Sequence, residues 1–174
     1  MLRVATRAAH DQVDALFSDL DLTDPADYRR FLTAQAAAFL PVEEALDASG
    51  AAALFPDWPS RRRADHLRAD LEALALPLPA PIAAPIFATP SEVAGAVYVL
   101  EGSRLGGAML ARSVPVGLAH AFLAEQHGGS HWREFLARLE QHLESHVQRQ
   151  AAVKGAGQVF DYFARAAHRS MENR

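Results

Sequence analysis

Tyr98-Val99-Leu100-Glu101-Gly102-Ser103-Arg104-Leu105-Gly106-Gly107 decides how the rest of this chain is read. Three glycines, Gly102, Gly106 and Gly107, fall within six residues of a segment that otherwise reads as helix. A glycine inside a helix costs about 1 kcal/mol relative to alanine. Such a cluster is kept where the backbone must bend, or where something flat and bulky must approach it closely. The competing use is tight packing of one helix on another. Gly102 and Gly106 are four apart and share a helix face, and Gly107 widens the gap.

The N-terminal segment supplies a counterpart. Leu2, Ala5, Ala9, Val13, Leu16 and Leu20 follow helical spacing and predict one amphipathic helix. Its polar side carries His10, with Asp14 four residues on and Arg7 and Arg3 three and seven residues before. All four share a face. Neutral imidazole is a good axial ligand for iron, and a carboxylate at i+4 can accept the other ring N–H, fixing the tautomer. Two guanidinium groups beside it suit a ligand that carries carboxylates. A histidine helix facing a glycine-rich helix would form a slot for a planar cofactor.

Helical spacing dominates elsewhere, and no strand-like alternation of any length occurs. Asp24-Pro25 is a helix start, with Tyr28, Phe31, Leu32, Phe39 and Leu46 on the apolar face and Ser49-Gly50 at the end. A third helix is expected from Ser60 through Leu76, with Leu67, Leu71 and Leu74 inward and Arg61, Arg62 and Arg63 outward. Pro77 to Pro90 holds five prolines and reads as an extended connector, packed on the body through Ile82, Ile86 and Phe87. Thr89-Pro90-Ser91-Glu92 has the capping-box pattern and starts the glycine helix. Pro115 and Gly117 interrupt the pattern. Gly128-Gly129-Ser130 reads as a loop and cap, His131 to about Gln150 as a helix with Trp132, Phe135, Leu136, Leu139 and Leu143 apolar, and Gly157 to Met171 as a last helix presenting Phe160, Phe163 and Ala167. The expected fold is an all-α single domain spanning residues 1–174, a compact multi-helical array.

Composition excludes several classes. The 174 residues carry a net charge of −4, against the basic patch that nucleic-acid binding needs. There is no cysteine, so disulfides, zinc–thiolate sites, iron–sulfur clusters and cysteine nucleophiles are out. No signal pattern opens the chain and no stretch is apolar enough to span a bilayer, so a cytoplasmic protein without membrane partners is expected. His142 and His146 are four apart, but His142-Leu143-Glu144-Ser145-His146 lacks the H-E-x-x-H order of a zinc site. They and His120, His127 and His131 are treated as incidental.

Tyr-Val-Leu-Glu-Gly-Ser-x-Leu-Gly-Gly resembles the distal helix of the heme oxygenase family, closest to the bacterial branch found with bacteriophytochromes. Leu2-Arg3-Val4-Ala5-Thr6-Arg7-Ala8-Ala9-His10 resembles its proximal helix. The resemblance implies a heme oxygenase-like fold and cleavage of haem, both cofactor and substrate, to biliverdin, CO and ferrous iron. It makes His10 the proximal iron ligand, Asp14 its hydrogen-bond partner, and Arg3 and Arg7 partners of the haem propionates, with Arg133 and Arg138 as further candidates. Gly102, Gly106 and Gly107 would cover the distal face, and Phe160 and Phe163 resemble the family's pocket aromatics. Ser103 stands where many members have an aspartate that holds the distal water network. Serine is not acidic, so a haem carrier or sensor on the same fold is the alternative reading. Electrons would come from a separate partner such as ferredoxin or an NAD(P)H-dependent reductase, and a bacteriophytochrome could receive the product.

Overall fold

The computed structural model describes residues 1–80, 82–124 and 129–172; Pro81, His127 and Gly128 lie outside them. Among the described residues the chain is helical and holds no strand. The N-terminal helix is in two pieces, α1 (Leu2–Ala5) and α2 (Arg7–Phe17), separated by Thr6. The i→i−4 bonding carries across the join, with the Thr6 amide donating to the Leu2 carbonyl at 2.9 Å and the His10 amide to the Thr6 carbonyl at 3.0 Å. Thr6 Oγ1 also donates to the Leu2 carbonyl. Leu2 is buried, but Ala5, expected in the apolar stripe, is exposed.

Helix α3 (Pro25–Ala48) starts as its sequence dictates. The Asp24 carboxylate accepts from the Ala26 and Asp27 amides, and Pro25 occupies the first turn. Tyr28, Phe31, Leu32, Phe39 and Leu46 are all buried. Gly50, at φ +81°, turns the chain into the short α4 (Ala51–Leu54).

The expected helix from Ser60 to Leu76 is instead two, α5 (Trp58–Arg61) and α6 (Ala64–Ala73). Arg61 and Arg63, expected outward, are buried, and Arg62 is half-buried. The reason is an internal carboxylate. Glu43, buried on α3, accepts from the Arg63 and Ala64 amides at 2.7 and 2.9 Å, so it caps α6 from another helix and draws the arginine run into the core. Helix α6 ends short of Leu76 in a Schellman closure, Leu76 N–H on the Leu71 carbonyl and Ala75 N–H on that of Glu72, with Ala75 at φ +53°.

In the connector Ile82 and Phe87 are buried as expected, but Ile86 is 80% exposed. Helix α7 (Pro90–Leu110) runs unbroken through the glycine motif, its start capped by Thr89, whose Oγ1 accepts from the Glu92 amide at 3.2 Å. A short α8 (Ala121–Ala124) is capped from afar by Asp70, which accepts from the Ala121 and Phe122 amides.

The last two helices also differ from expectation. They are α9 (Gly129–Gln141) and α10 (His146–Glu172), so the break lies at residues 142–145. A capping box makes it. The Gln148 amide donates to Ser145 Oγ at 3.2 Å and the Ser145 amide to Gln148 Oε1 at 2.8 Å. Helix α10 is the central element, packed on α7, α3 and α2.

The α7–α10 contact is backbone on backbone. A β-carbon added to Gly95 would lie 2.6 Å from the carbonyl carbon of Ala152, and one added to Gly155 would lie 2.7 Å from that of Glu92. Neither neighbour is a movable side chain. Gly155→Ala is therefore expected to destabilise the chain by about 1–3 kcal/mol through overpacking, read as a lowered Tm. The same crossing carries an ion pair, Lys154 Nζ to Glu92 Oε1 at 2.8 Å, while Glu92 Oε2 accepts from the Ala88 amide. Burial works to raise the Glu92 pKa, but Lys154 and the Ala88 amide outweigh it and hold the carboxyl below its ordinary 4.5. A carboxyl lowered on folding stabilises the fold above its unfolded pKa, and that contribution is lost as pH falls through the folded one. Glu92→Gln should lower stability at neutral pH and flatten its acid-side dependence in denaturation titrations.

Candidate functional site

Helices α2 and α7 both pack on α10, which is the arrangement that the expected slot between His10 and the glycine segment needs. His10 projects from α2 and is 58% exposed. Its Nδ1 lies 3.1 Å from Asp14 Oδ2, the i+4 relation read from the sequence. A carboxylate at that distance favours the tautomer with the proton on Nδ1, which leaves Nε2, without a partner among the described residues, as the acceptor. The ring meets Phe160 of α10 edge-on, centroids 6.0 Å apart. Phe160 and Phe163 are both buried, so they are core residues, one of which also borders the slot.

The glycines separate into two uses. A β-carbon at Gly106 would meet nothing within 4 Å, and one at Gly102 only the Trp132 ring, at 3.8 Å. At Gly107 it would touch Leu123 at 3.4 Å. Close helix packing thus accounts for Gly95 and Gly155, which the sequence reading passed over, and in part for Gly107. It does not account for Gly102 and Gly106, whose face is open. The residues fit a flat macrocycle with an iron: a helix face left bare of side chains at Gly102 and Gly106, and an imidazole beside Asp14 whose Nε2 has no partner among the described residues.

The arginines do not stand alike. Arg3 is near enough to Tyr98 for its charge to act on the phenol: burial raises the Tyr98 pKa and Arg3 opposes the rise. The first helix and the glycine helix are therefore neighbours at this end. Arg7 is exposed and 3.8 Å from Asp11. Arg133 is exposed on α9. Arg138 is committed elsewhere, its Nη1 2.9 Å from Asp57 Oδ1. Asp57 also takes Arg61 at 2.7 Å, and Arg61 reaches Glu101 at 2.6 Å. Burial pushes the Asp57 pKa up, but the Arg61 hydrogen bond and the charges of Arg61 and Arg138 outweigh it and hold it low. Of the other histidines, His142 packs on Phe55 with Nε2 3.1 Å from the Leu54 carbonyl.

Ser103 is held by a residue that the sequence reading placed in solvent. Arg63 is sandwiched between the Phe39 and Phe122 rings, its guanidinium carbon 4.8 Å from each centroid. Its Nη2 donates to Ser103 Oγ at 2.7 Å and to the Leu100 carbonyl at 2.8 Å, and Ser103 Oγ donates to that same carbonyl at 2.7 Å. The serine proton is thus turned into the helix, and the oxygen offers outward only its remaining acceptor capacity. The signal in the sequence was the run Arg61-Arg62-Arg63 itself, read as a solvated face.

No family model matches the chain. It is 42% identical over 115 residues, 61% of its length, to a heme oxygenase of Xanthomonas campestris pv. campestris, spanning 67% of that protein. It is 31% identical over 174 aligned residues to heme oxygenase PigA of Pseudomonas aeruginosa, covering 93% of this chain and 87% of that one. The chain belongs to the heme oxygenase family. The heme oxygenase of Neisseria meningitidis, solved with NO and CO bound, has the same fold, with a TM-score of 0.85 at 24% identity over 98% of this chain and 90% of that one. The all-α heme oxygenase-like array expected from the sequence is the fold observed.

The open glycine face yields a test with opposite signs. Gly106→Ala is expected to stabilise the ligand-free chain by up to about 1 kcal/mol, since alanine is the better helix former and nothing obstructs its methyl. The bulkier Gly106→Val should keep the helical circular dichroism while weakening CO binding to the ferrous haem complex and slowing turnover. A Gly106→Val chain that binds CO and degrades haem as the unaltered chain does would remove this helix from the distal side.

Proposed function

We infer that this chain is a heme oxygenase that opens haem oxidatively to biliverdin, CO and ferrous iron, using O₂ and electrons from a separate protein. The observation that carries the reading is the placing on one helix, α10, of two elements: α2 with an imidazole 3.1 Å from Asp14, and α7 with a glycine face bare of side chains. When bound, haem supplies both the oxygen-activating iron and the carbon that is oxidised. The chain supplies everything that orients it.

His10 Nε2 would ligate the haem iron, with Asp14 keeping the ring oriented and basic. Arg3 and Arg7 hold the propionates by charge-assisted hydrogen bonds, with Arg133 available as a third cation. Arg138, spent on Asp57, takes no direct part. Gly102 and Gly106 would leave the α7 face bare of side chains where the macrocycle lies against it. Ser103 is solvent-exposed, and its oxygen, polarised by Arg63, is an acceptor that can anchor water at the distal face. With its own proton on the Leu100 carbonyl, Ser103 takes the place of a distal acid by holding water rather than by giving up a proton.

The finer assignments belong to the same reading. The electron donor is a ferredoxin or an NAD(P)H-dependent reductase, and a bacteriophytochrome is a candidate recipient of the biliverdin. Among the described residues no helix is long and apolar enough to cross a membrane, and we place the activity in the cytoplasm.

Haem titration should raise a Soret band, and reductant with air should convert it to the spectrum of biliverdin. A Soret band that persists under reductant would make the chain a carrier. His10→Ala is expected to shift or lose the Soret band and abolish turnover, with exogenous imidazole restoring part of both. Arg3→Glu with Arg7→Glu should weaken haem binding by roughly tenfold, about 1.4 kcal/mol, or change the biliverdin isomer. Native affinity and product from that double variant would move the propionates to Arg133.

A further inference from the structure

The open face of α7 has a boundary. At Gly106 nothing lies within 4 Å of where a β-carbon would be, whereas at Gly102, one turn back, the Trp132 ring lies at 3.8 Å. The indole is half-buried and braced on both sides. Tyr98 lies against it with centroids 5.7 Å apart, and Phe135 stacks on it at 5.6 Å. Phe135 is itself fixed, against Phe55 at 5.2 Å and beneath the Arg61 guanidinium at 5.3 Å. An aromatic row therefore runs from the core to the edge of the slot and ends in a rigid flat side chain.

The charge network holds the helix that carries this side chain. Arg138 on α9 binds Asp57, Asp57 binds Arg61, and Arg61 binds Glu101, the residue next to Gly102. The position of α9 is thus referred to the glycine segment itself.

On the footing of the function inferred above, we propose that Trp132 is the wall that fixes the in-plane orientation of the macrocycle, and so selects which meso carbon is cleaved. Arg138 is a positioning residue for that wall and not a propionate ligand. A planar ligand lying over Gly106 and Gly102 must abut the indole. Propionate partners alone hold one edge, about which a disc can still pivot; a second fixed contact at a different edge removes that freedom.

The test uses the haem complex of the full chain, with Trp132→Ala and Trp132→Leu compared with Trp132→Phe. In the ferric cyanide complex, haem-methyl proton shifts report orientation without turnover. The alanine and leucine variants are expected to keep helical circular dichroism and a His10-dependent Soret band, yet to show a second set of methyl resonances and a mixture of biliverdin isomers. Trp132→Phe should restore a single dominant set. Unchanged methyl shifts and a single isomer in both the alanine and leucine variants would overturn the proposal while leaving the heme oxygenase reading intact. Absence of any Soret band in the unaltered chain would overturn that reading instead.

Discussion

The backbone contact between α7 and α10 is the constraint on which the site depends. Gly95 lies on the Ala152 carbonyl and Gly155 on that of Glu92, with no room for a methyl at either. Two helices that touch through their backbones have little freedom in separation or register, because carbonyls and α-carbons cannot change rotamer. Helix α10 then carries α2 on another part of its surface. The placement of His10 relative to the glycine segment accordingly runs through packing on one shared element. A slot built this way can be open without being loose.

Buried charge fixes the other half of α7. Arg61, Arg63 and Arg104 are each less than 5% exposed, as are Glu43 and, nearly, Glu101. Removing such charges from water is expensive, and ion pairing often does no more than offset it, so their contribution is better sought in position than in stability. Each of these arginines ends on a specific carbonyl or carboxylate of α7 or its neighbours. Arg63 illustrates the point. Its planar guanidinium fits between two phenyl rings and still delivers two hydrogen bonds from one nitrogen to the segment that bears Ser103. Lysine has neither the plane to stack nor the fork to bridge two acceptors.

What the sequence disclosed, and what it hid, follows the same division. Features that rest on neighbours within a turn or two were legible: the Asp24 and Thr89 caps, the His10–Asp14 pair, the buried face of α3, the open Gly102–Gly106 face. The capping box at Ser145 and Gln148 was equally local and was hidden by the continuing apolar period through Leu143. The inward turn of Arg61 and Arg63 was not local at all. It depends on Glu43, about twenty residues earlier, supplying the cap that α6 lacks, and nothing in the spacing of the arginines carries that information. Arg138 is the same case, since Asp57, which holds it, lies 81 positions away.

This division bears on how an aspartate-free distal helix can operate. With a carboxylate at position 103, the Arg63 guanidinium would face a full negative charge and form a buried-edge ion pair, tying up the group meant to hold water. With serine it meets a neutral oxygen that accepts one bond and keeps acceptor capacity free. The serine and the buried arginine are therefore best understood as one unit. Neither has the acid strength of a carboxyl, so the pair presents hydrogen-bonding capacity at this face and not an acid.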